Sequence, residues 1–322
     1  MIKDEVSILL STYNGSKYLK ELLESLINQT YKEWICYIRD DGSTDNTREI
    51  LNSYVNRYPG RFIIADNSNQ NLKPCQSFFK LLRTVKRGKY FMFCDQDDIW
   101  DHKKIEITIA EMKNIESRIG EKKPILVHSD LEVVDENLNR ISYSMKRMQK
   151  IDCSRKNIRS LILQNNITGC TVMINRELLR IVSRTPENAI MHDWWFALVA
   201  SCFGEISFIN KPLIKYRQHS KNSVGAKKRS IFHLLKRINF FKMSTLSATY
   251  RNYLIKIIKQ SEEFFTIYEQ DLKGKEKEII YYFKEIKSKG LIRKIYYLLK
   301  YKINAQNWRT SILLKLIIIF IL

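Results

Sequence analysis

The sequence is poor in residues that break chains and in the pairings that staple them. Five prolines and ten glycines among 322 residues enforce few turns, and no Pro- or Gly-rich stretch or internal repeat marks a linker or a repeat fold. Six cysteines (Cys36, Cys75, Cys94, Cys153, Cys170, Cys202) are scattered, with no CxxC and no Cys/His spacing suited to zinc. That excludes a zinc module, and nothing demands an oxidising compartment. Cys36 and Cys94 lie inside apolar runs and read as small core residues. No apolar run reaches the roughly 18–20 residues that span a bilayer. The first such run, Val6–Leu10, is too short for a signal peptide and lacks its basic lead, so a cytoplasmic location is expected. Neither a P-loop nor GxGxxG, GxSxG or HExxH occurs, which removes the commonest NTPase, dehydrogenase, hydrolase and metalloprotease readings. Acidic residues are scarce too, with 34 Asp+Glu against 55 Lys+Arg and a net charge of +21. The imbalance is local: from Ala226 onward there are 21 Lys+Arg against 7 Asp+Glu. Such a segment suits nucleic acid, anionic lipid or an acidic substrate.

What is present divides at about residue 225. Short β-rich runs at Val6–Leu10, Trp34–Arg39, Arg61–Ala65, Tyr90–Cys94 and Ile125–His128 alternate with helical patterns at Lys17–Asn28, Thr44–Arg57, Gln76–Lys86 and Lys103–Ser117. That order predicts βαβ units and a mostly parallel sheet covered by helices. Runs at Thr171–Ile174 and Ile206–Ile209, with helices around Glu177–Val182 and Asp193–Ser201, complete an α/β domain over residues 1–225. Residues 226–322 read as basic helices broken at Gly274 and Gly290, closing on the apolar Ile312–Leu322.

In an open α/β sheet ligands sit beyond the carboxyl ends of the parallel strands. Three polar clusters fall there: Ser11-Thr12-Tyr13-Asn14-Gly15, Asp40-Asp41-Gly42-Ser43-Thr44-Asp45 and Asp95-Gln96-Asp97-Asp98. Three carboxylates within four residues repel one another, and a divalent cation relieves that repulsion while leaving room for substrate phosphates. An acidic turn capping the helix near Asp101 is the plainer alternative. In the second cluster Ser43, Thr44 and Asp45 suit a helix start, whereas Asp40 and Asp41 exceed what a cap needs. A carboxylate there can accept the imide N–H of uracil or thymine. Asp193, between His192 and Trp194-Trp195, is either a helix cap or a partly desolvated general base. His219 is either a loop histidine or a metal or diphosphate contact, and Arg217 and Lys221 suit the same phosphates.

The four clusters, in order, resemble family 2 glycosyltransferases of the GT-A fold. They are Val6-Ser7-Ile8-Leu9-Leu10-Ser11-Thr12-Tyr13-Asn14, Asp40 to Asp45, Asp95 to Asp98, and His192-Asp193. The resemblance covers roughly residues 5–225. Cys94-Asp95-Gln96-Asp97-Asp98-Ile99-Trp100, His192-Asp193-Trp194-Trp195 and Tyr216-Arg217-Gln218-His219 are similar to the bacterial branch containing rhamnosyltransferases of surface polysaccharide synthesis. It implies that Ser11, Tyr13 and Asp41 hold the nucleobase and that Asp95 faces the ribose or the metal. Asp97 would then ligate a divalent cation (Mn²⁺ or Mg²⁺), with His219 as a further ligand, and Asp193 would be the catalytic base. Trp100, Trp194 and Trp195 are candidates for the acceptor side. Asn71-Leu72-Lys73-Pro74 departs from the family's Asn-x-Gly stretch, and the Gln-x-x-Arg-Trp motif of processive synthases is absent. The implied reaction is inverting transfer of one sugar from dTDP-rhamnose or a UDP-hexose.

The basic tail mixes Lys and Arg with Leu, Ile, Phe and Tyr, as in Phe232–Phe241 and Leu291–Lys302. That composition suits an amphipathic surface on an anionic membrane, with a lipid-linked saccharide as acceptor at the inner leaflet. A soluble helical cap or an oligomer contact is the alternative. Two rival functions are a nucleotidyltransferase, which lacks its Gly-rich basic loop here, and a nucleic-acid-binding module, which leaves Asp95, Asp97 and Asp193 unexplained.

Overall fold

The structure, a computed structural model, describes residues 4–320 apart from 67, 69, 86, 183, 185, 221 and 223–239, and describes no side chain of 240–249. Lys221 and most of Phe232–Phe241, both singled out above, lie outside the described residues. The described residues of Met1–Lys146, Ile167–Thr185 and Met191–Ala226 form one compact unit. Those of Arg147–Asn166, Pro186–Ile190 and Lys227–Leu322 form a second.

The first unit is built on a nine-stranded sheet. Its strands are β1 (Val6–Thr12), β2 (Trp34–Asp40), β3 (Phe62–Asp66), β4 (Tyr90–Asp95), β5 (Ile99–Trp100), β6 (Ile125–Val134), β7 (Arg140–Ser142), β8 (Val172–Asn175) and β9 (Glu205–Arg217). They lie in the order β3-β2-β1-β4-β8-β6-β9-β5, with β7 on β6. β1 pairs in parallel with β2 and β4, β2 with β3, and β6 with β9. By ladder length most of the sheet is parallel, but four of its eight pairings are antiparallel: β8 with β4 and with β6, β5 with β9, and β7 with β6. Five consecutive strand residues of β4, Tyr90 to Cys94, are fully buried, as expected of a strand covered on both faces. Pro212, which cannot donate to a ladder, sits in β9 where the register with β6 shifts between Ser129 and Asp130.

The crossover helices are α1 (Leu19–Ile27), α2 (Thr47–Arg57), α3 (Lys73–Thr84) and α4 (Lys104–Ile119). Short helices α5 (Met145–Gln149), α6 (Ile158–Leu161) and α7 (Arg176–Val182) precede α8 (His192–Phe203). α1 shows why these segments are helical: Leu19, Leu22, Leu23 and Leu26 recur at three- and four-residue spacing and are all fully buried.

The second unit holds α9 (Phe240–Tyr268), α10 (Gly274–Lys284), α11 (Leu291–Lys300) and α12 (Trp308–Phe320). Leu254, Ile257, Phe264, Ile280, Phe283, Leu298 and Ile318 are among its buried core. The division expected at residues 225/226 needs a correction, because two earlier stretches pack with this unit. Their polar groups are satisfied there: Arg155 Nη1 donates to the Ala305 carbonyl (2.6 Å), and Gln306 N–H donates to Gln164 Oε1 (3.0 Å). Among the described residues, no helix is long and apolar enough to cross a membrane.

Candidate active site

Three strands end side by side. Ser11 is paired with Arg39 of β2 on one side and Asp95 of β4 on the other, and Thr12 with Asp40. The three polar clusters thus emerge at one edge of the sheet.

The second cluster is mostly structural. Asp40 accepts Thr12 Oγ1 (2.9 Å), Ser43 N–H (2.9 Å) and Arg48 Nε (2.8 Å). Burial raises its carboxyl, but the Ser43 and Arg48 hydrogen bonds outweigh that and hold it below its usual value. The helix start falls later than expected, at Thr47, whose N–H and hydroxyl are taken by Asp45 (3.1 and 2.5 Å). Asp41 is nearly buried and receives the Arg39 guanidinium together with the N–H groups of Leu72 and Lys73 (2.8 Å each). Lys73 has φ of 63°, the left-handed conformation that normally selects glycine. This accounts for the missing Gly after Asn71: Lys73 takes up the glycine conformation, and Asp41 holds its N–H. Arg39, fully buried, also reaches Asp66 (3.1 Å), the Gln70 carbonyl (2.7 Å) and Ser77 Oγ (3.0 Å). Ser77 Oγ shares a 2.6 Å hydrogen bond with Ser11 Oγ. Ser11, Asp41 and the start of α3 therefore form one network around Arg39.

The third cluster splits. Asp97 Oδ2 lies 2.8 Å from His219 Nε2 and 3.3 Å from Asn222 Nδ2, with both partners carried on the segment after β9. Asp98 turns inward, 1% exposed, and forms with Asp95 and Cys170 the only tight His/Cys/Asp/Glu group among the described residues. Beneath it, fully buried Lys104 donates to the Cys170 carbonyl (2.8 Å) with its ammonium 3.1 Å from the centre of the Trp100 ring. Burial, followed by the charges of Asp97 and Asp193, pushes the half-buried Asp95 up to about 7. Burial pushes Lys104 down to about 7, opposed by the neighbouring thiols and Asp98.

Two donor sets could receive a cation, and their chemistry separates them. The Cys170 thiol is raised well above its usual value by burial, then by Asp98 and Asp95. A protonated soft sulfur suits neither Mg²⁺ nor Mn²⁺. Asp97 and His219 offer a carboxylate and an imidazole. An octahedral ion with ligands at about 2.1 Å holds adjacent ligand atoms about 3 Å apart, and 2.8 Å meets that. The Asp97–His219 pair fits a hard divalent cation.

Asp193 is the second residue of α8 and 7% exposed. Its position depends on Gly169, where an added Cβ would lie 2.8 Å from His192 Nε2 and 3.5 Å from Asp193 Oδ2. His192 packs between Phe78 and Phe93 at ring distances of 4.3 and 5.2 Å, and burial pushes it down to about 3, so it is neutral.

Several expectations are corrected. Trp100, Trp194 and Trp195 are 3%, 3% and 0% exposed, so their indoles belong to the core and present no face to an acceptor. Arg217 is no free phosphate ligand either. Its guanidinium binds Glu21 (2.7 Å), the Glu136 carbonyl (2.7 Å) and the Asp97 carbonyl (3.1 Å), and lies over Tyr18. Tyr13, 48% exposed, does stand open at the strand edge. Sequence reading missed Arg39, Lys104 and Gln96. Of these only Arg39 left a trace, as a charge inside an apolar strand run.

The chain matches the family model "Glycosyl transferase family 2" over residues 7–181, more than half its length. It is 28% identical over 228 residues to a dTDP-rhamnosyl transferase, RfbG, of Shigella flexneri, covering 67% of this chain and 74% of that protein. It is 25% identical over 263 residues to the putative teichuronic acid biosynthesis glycosyltransferase TuaG of Bacillus subtilis, covering 79% and 97%. The match spans only 35% of one longer Rickettsia conorii relative. In fold it is similar to residues 1–349 of S. aureus TarS in complex with UDP, at a TM-score of 0.56 and 18% identity, covering 86% of this chain and 69% of that one.

Proposed function

The chain belongs to glycosyl transferase family 2, enzymes that move a sugar from a nucleotide-activated donor, and we propose that it does so with inversion and a divalent cation. The observation that supports this reading is geometric: the Cys170 thiol lies within 4.8 Å of the Asp95 and Asp98 carboxylates, and a Cβ on the adjacent Gly169 would lie 3.5 Å from Asp193 Oδ2, so the candidate base approaches the acidic run that carries Asp97. Asp97 and His219 would hold Mn²⁺ or Mg²⁺. When bound, such an ion would neutralise the donor diphosphate and stabilise the charge that collects on it as it leaves. Asp193 takes the proton from the acceptor hydroxyl as that oxygen attacks the anomeric carbon from the face opposite the leaving group. One displacement inverts the configuration. Tyr13 offers its exposed ring to the base, and Ser11, two positions earlier in the chain, offers its hydroxyl. Each carboxylate oxygen has two lone pairs, and Asp41 keeps capacity for an imide N–H while it fixes Leu72 and Lys73.

The donor we favour is dTDP-rhamnose, with UDP-hexoses next, in surface polysaccharide synthesis. A thermal-shift panel of UDP, dTDP, GDP and CMP with Mn²⁺, Mg²⁺ or EDTA tests this. At one hundred times Kd a ligand specific to the folded state adds about 2.7 kcal/mol. The expected result is stabilisation by dTDP or UDP that disappears with EDTA and in Asp97→Asn. No shift with any nucleotide would overturn the donor site.

The acceptor we propose is a lipid-linked saccharide, met at an anionic membrane surface by the second unit. From Ile286 to Phe320 there are eight Lys+Arg and no Asp or Glu. The same helices expose Ile292 (80%), Tyr296, Leu299, Trp308 (66%), Ile312 and Phe320. Apolar residues among unopposed positive charge suit a helix lying in the interface of an anionic bilayer. The protein should float with phosphatidylserine-containing vesicles and not with phosphatidylcholine alone, and Ile292→Asp with Trp308→Asp should cut binding at least tenfold. Equal recovery with both vesicle types, or in the double variant, would remove the membrane from the proposal.

A further inference from the structure

The ladder between β1 and β4 stops at Ser11 and Asp95, yet the strands remain tied beyond it by a side chain. The carboxamide of Gln96 accepts from Tyr13 N–H (2.7 Å) and donates to the Tyr13 carbonyl (2.9 Å). One side chain thus satisfies both the N–H and the carbonyl of Tyr13, which in a continuing parallel ladder would be bonded to two different residues of the neighbouring strand. The carboxamide fits because position 15 is glycine: a Cβ there would lie 2.2 Å from Gln96 Oε1 and 2.4 Å from its Cδ. No positive φ forces glycine at position 15, so the close approach of Gln96 is the structural reason for it.

We propose that Gln96 is a positioning residue that couples cation binding to nucleobase binding. The inference rests on the roles proposed above for Tyr13 and Asp97. Gln96 stands between Asp95 and Asp97. Whatever fixes that run fixes the backbone of Tyr13, and a base on Tyr13 orders the run in return. Coupling of this kind is reciprocal: the cation tightens nucleotide binding by the factor by which the nucleotide tightens cation binding. Gln96 needs no contact with either ligand to carry it.

The test is a double-mutant cycle on the full chain, Gln96→Ala, Gly15→Ala and the two together, read by calorimetric titration of UDP and of dTDP with and without Mn²⁺. Gly15→Ala removes nothing from the site but displaces the Gln96 carboxamide. The expected result is that Mn²⁺ tightens nucleotide binding to the wild type at least tenfold, and that each single variant loses most of that gain while still binding nucleotide without Mn²⁺. The double variant should match Gln96→Ala, because a side chain already removed cannot be displaced again. Gains preserved in both single variants, or additive losses in the double, overturn the inference and leave the donor site standing. A wild type that binds UDP and dTDP equally with and without Mn²⁺ overturns the inference and the proposed cation together, while the nucleotide site itself stands. A misfolded variant is recognised by its melting temperature in the absence of ligand. Gln96→Met, which keeps the volume and removes both hydrogen bonds, then replaces Gln96→Ala, with the same losses expected and the same preserved gain overturning the inference.

Discussion

Asp193→Asn should lower sugar transfer by about 10²–10⁴-fold, the range that a positioned general base contributes. Nucleotide affinity should stay within about twofold of the wild type. The substitution keeps the shape of a residue packed against Gly169 and His192 and removes its capacity to take a proton together with the negative charge that acts on Asp95. His192 cannot act in its place. It is neutral, but its imidazole is buried among Phe78, Phe93 and Phe196, and protonating it there would cost the solvation that already drives it down to about 3. Transfer of labelled sugar from dTDP- or UDP-sugars to an acceptor-bearing membrane fraction measures the effect. An Asn variant that keeps more than about a tenth of the wild-type rate would take the base role away from Asp193.

Arg39→Met should destabilise the first unit by about 3–5 kcal/mol, as expected when one partner of a buried ion pair is removed. The guanidinium is fully buried and is shared by Asp41, Asp66, Ser77 and the Gln70 carbonyl, so its loss strands two carboxylates and a carbonyl together. Arg39→Lys should recover little, because an ammonium cannot fork among partners on three segments. Denaturant unfolding followed by the fluorescence of the first unit's buried tryptophans reads the change. A loss under about 1 kcal/mol would mean that the network is dispensable. The variant should also weaken nucleotide binding, since Asp41 without Arg39 no longer has a fixed position from which to hold Leu72 and Lys73.

Much of the architecture was legible because it is local. A run such as Tyr90–Cys94 is buried on both faces and reads so in the sequence, and the acids directly after it must emerge at the strand's end. Asp97 and His219, 122 positions apart, were paired by a resemblance rather than by spacing, and the structure brings them to 2.8 Å. Long-range neutral contacts were illegible. Gln96 looks like a spacer between acids, and nothing nearby in sequence says that it clasps a backbone 83 positions earlier. Nothing in the sequence distinguishes the buried Lys104 from a lysine on a helix surface, since sequence alone does not say that its neighbours are Cys170 and the Trp100 ring. Tryptophan was misread for the opposite reason: its affinity for sugar faces is real, but so is its weight in a core, and burial decides. The direction of β8 also escaped, because a four-residue apolar strand carries no mark of its orientation. Family membership leaves the nucleotidyltransferase and nucleic-acid-binding readings without support.

The chain leaves the first unit twice before its final departure, through Arg147–Asn166 and Pro186–Ile190, and each time returns just ahead of a residue near the proposed chemistry. Gly169 follows the first return, at Ile167, by two positions, and Asp193 follows the second, at Met191, by two. A terminal cassette could be exchanged among relatives by a single crossover, but this second unit could not. Recombination at one point would leave two stretches folded against partners that no longer match them. The second unit of such a chain should drift by point substitution rather than jump by shuffling, and an engineer wishing to transplant it would have to move three pieces at once.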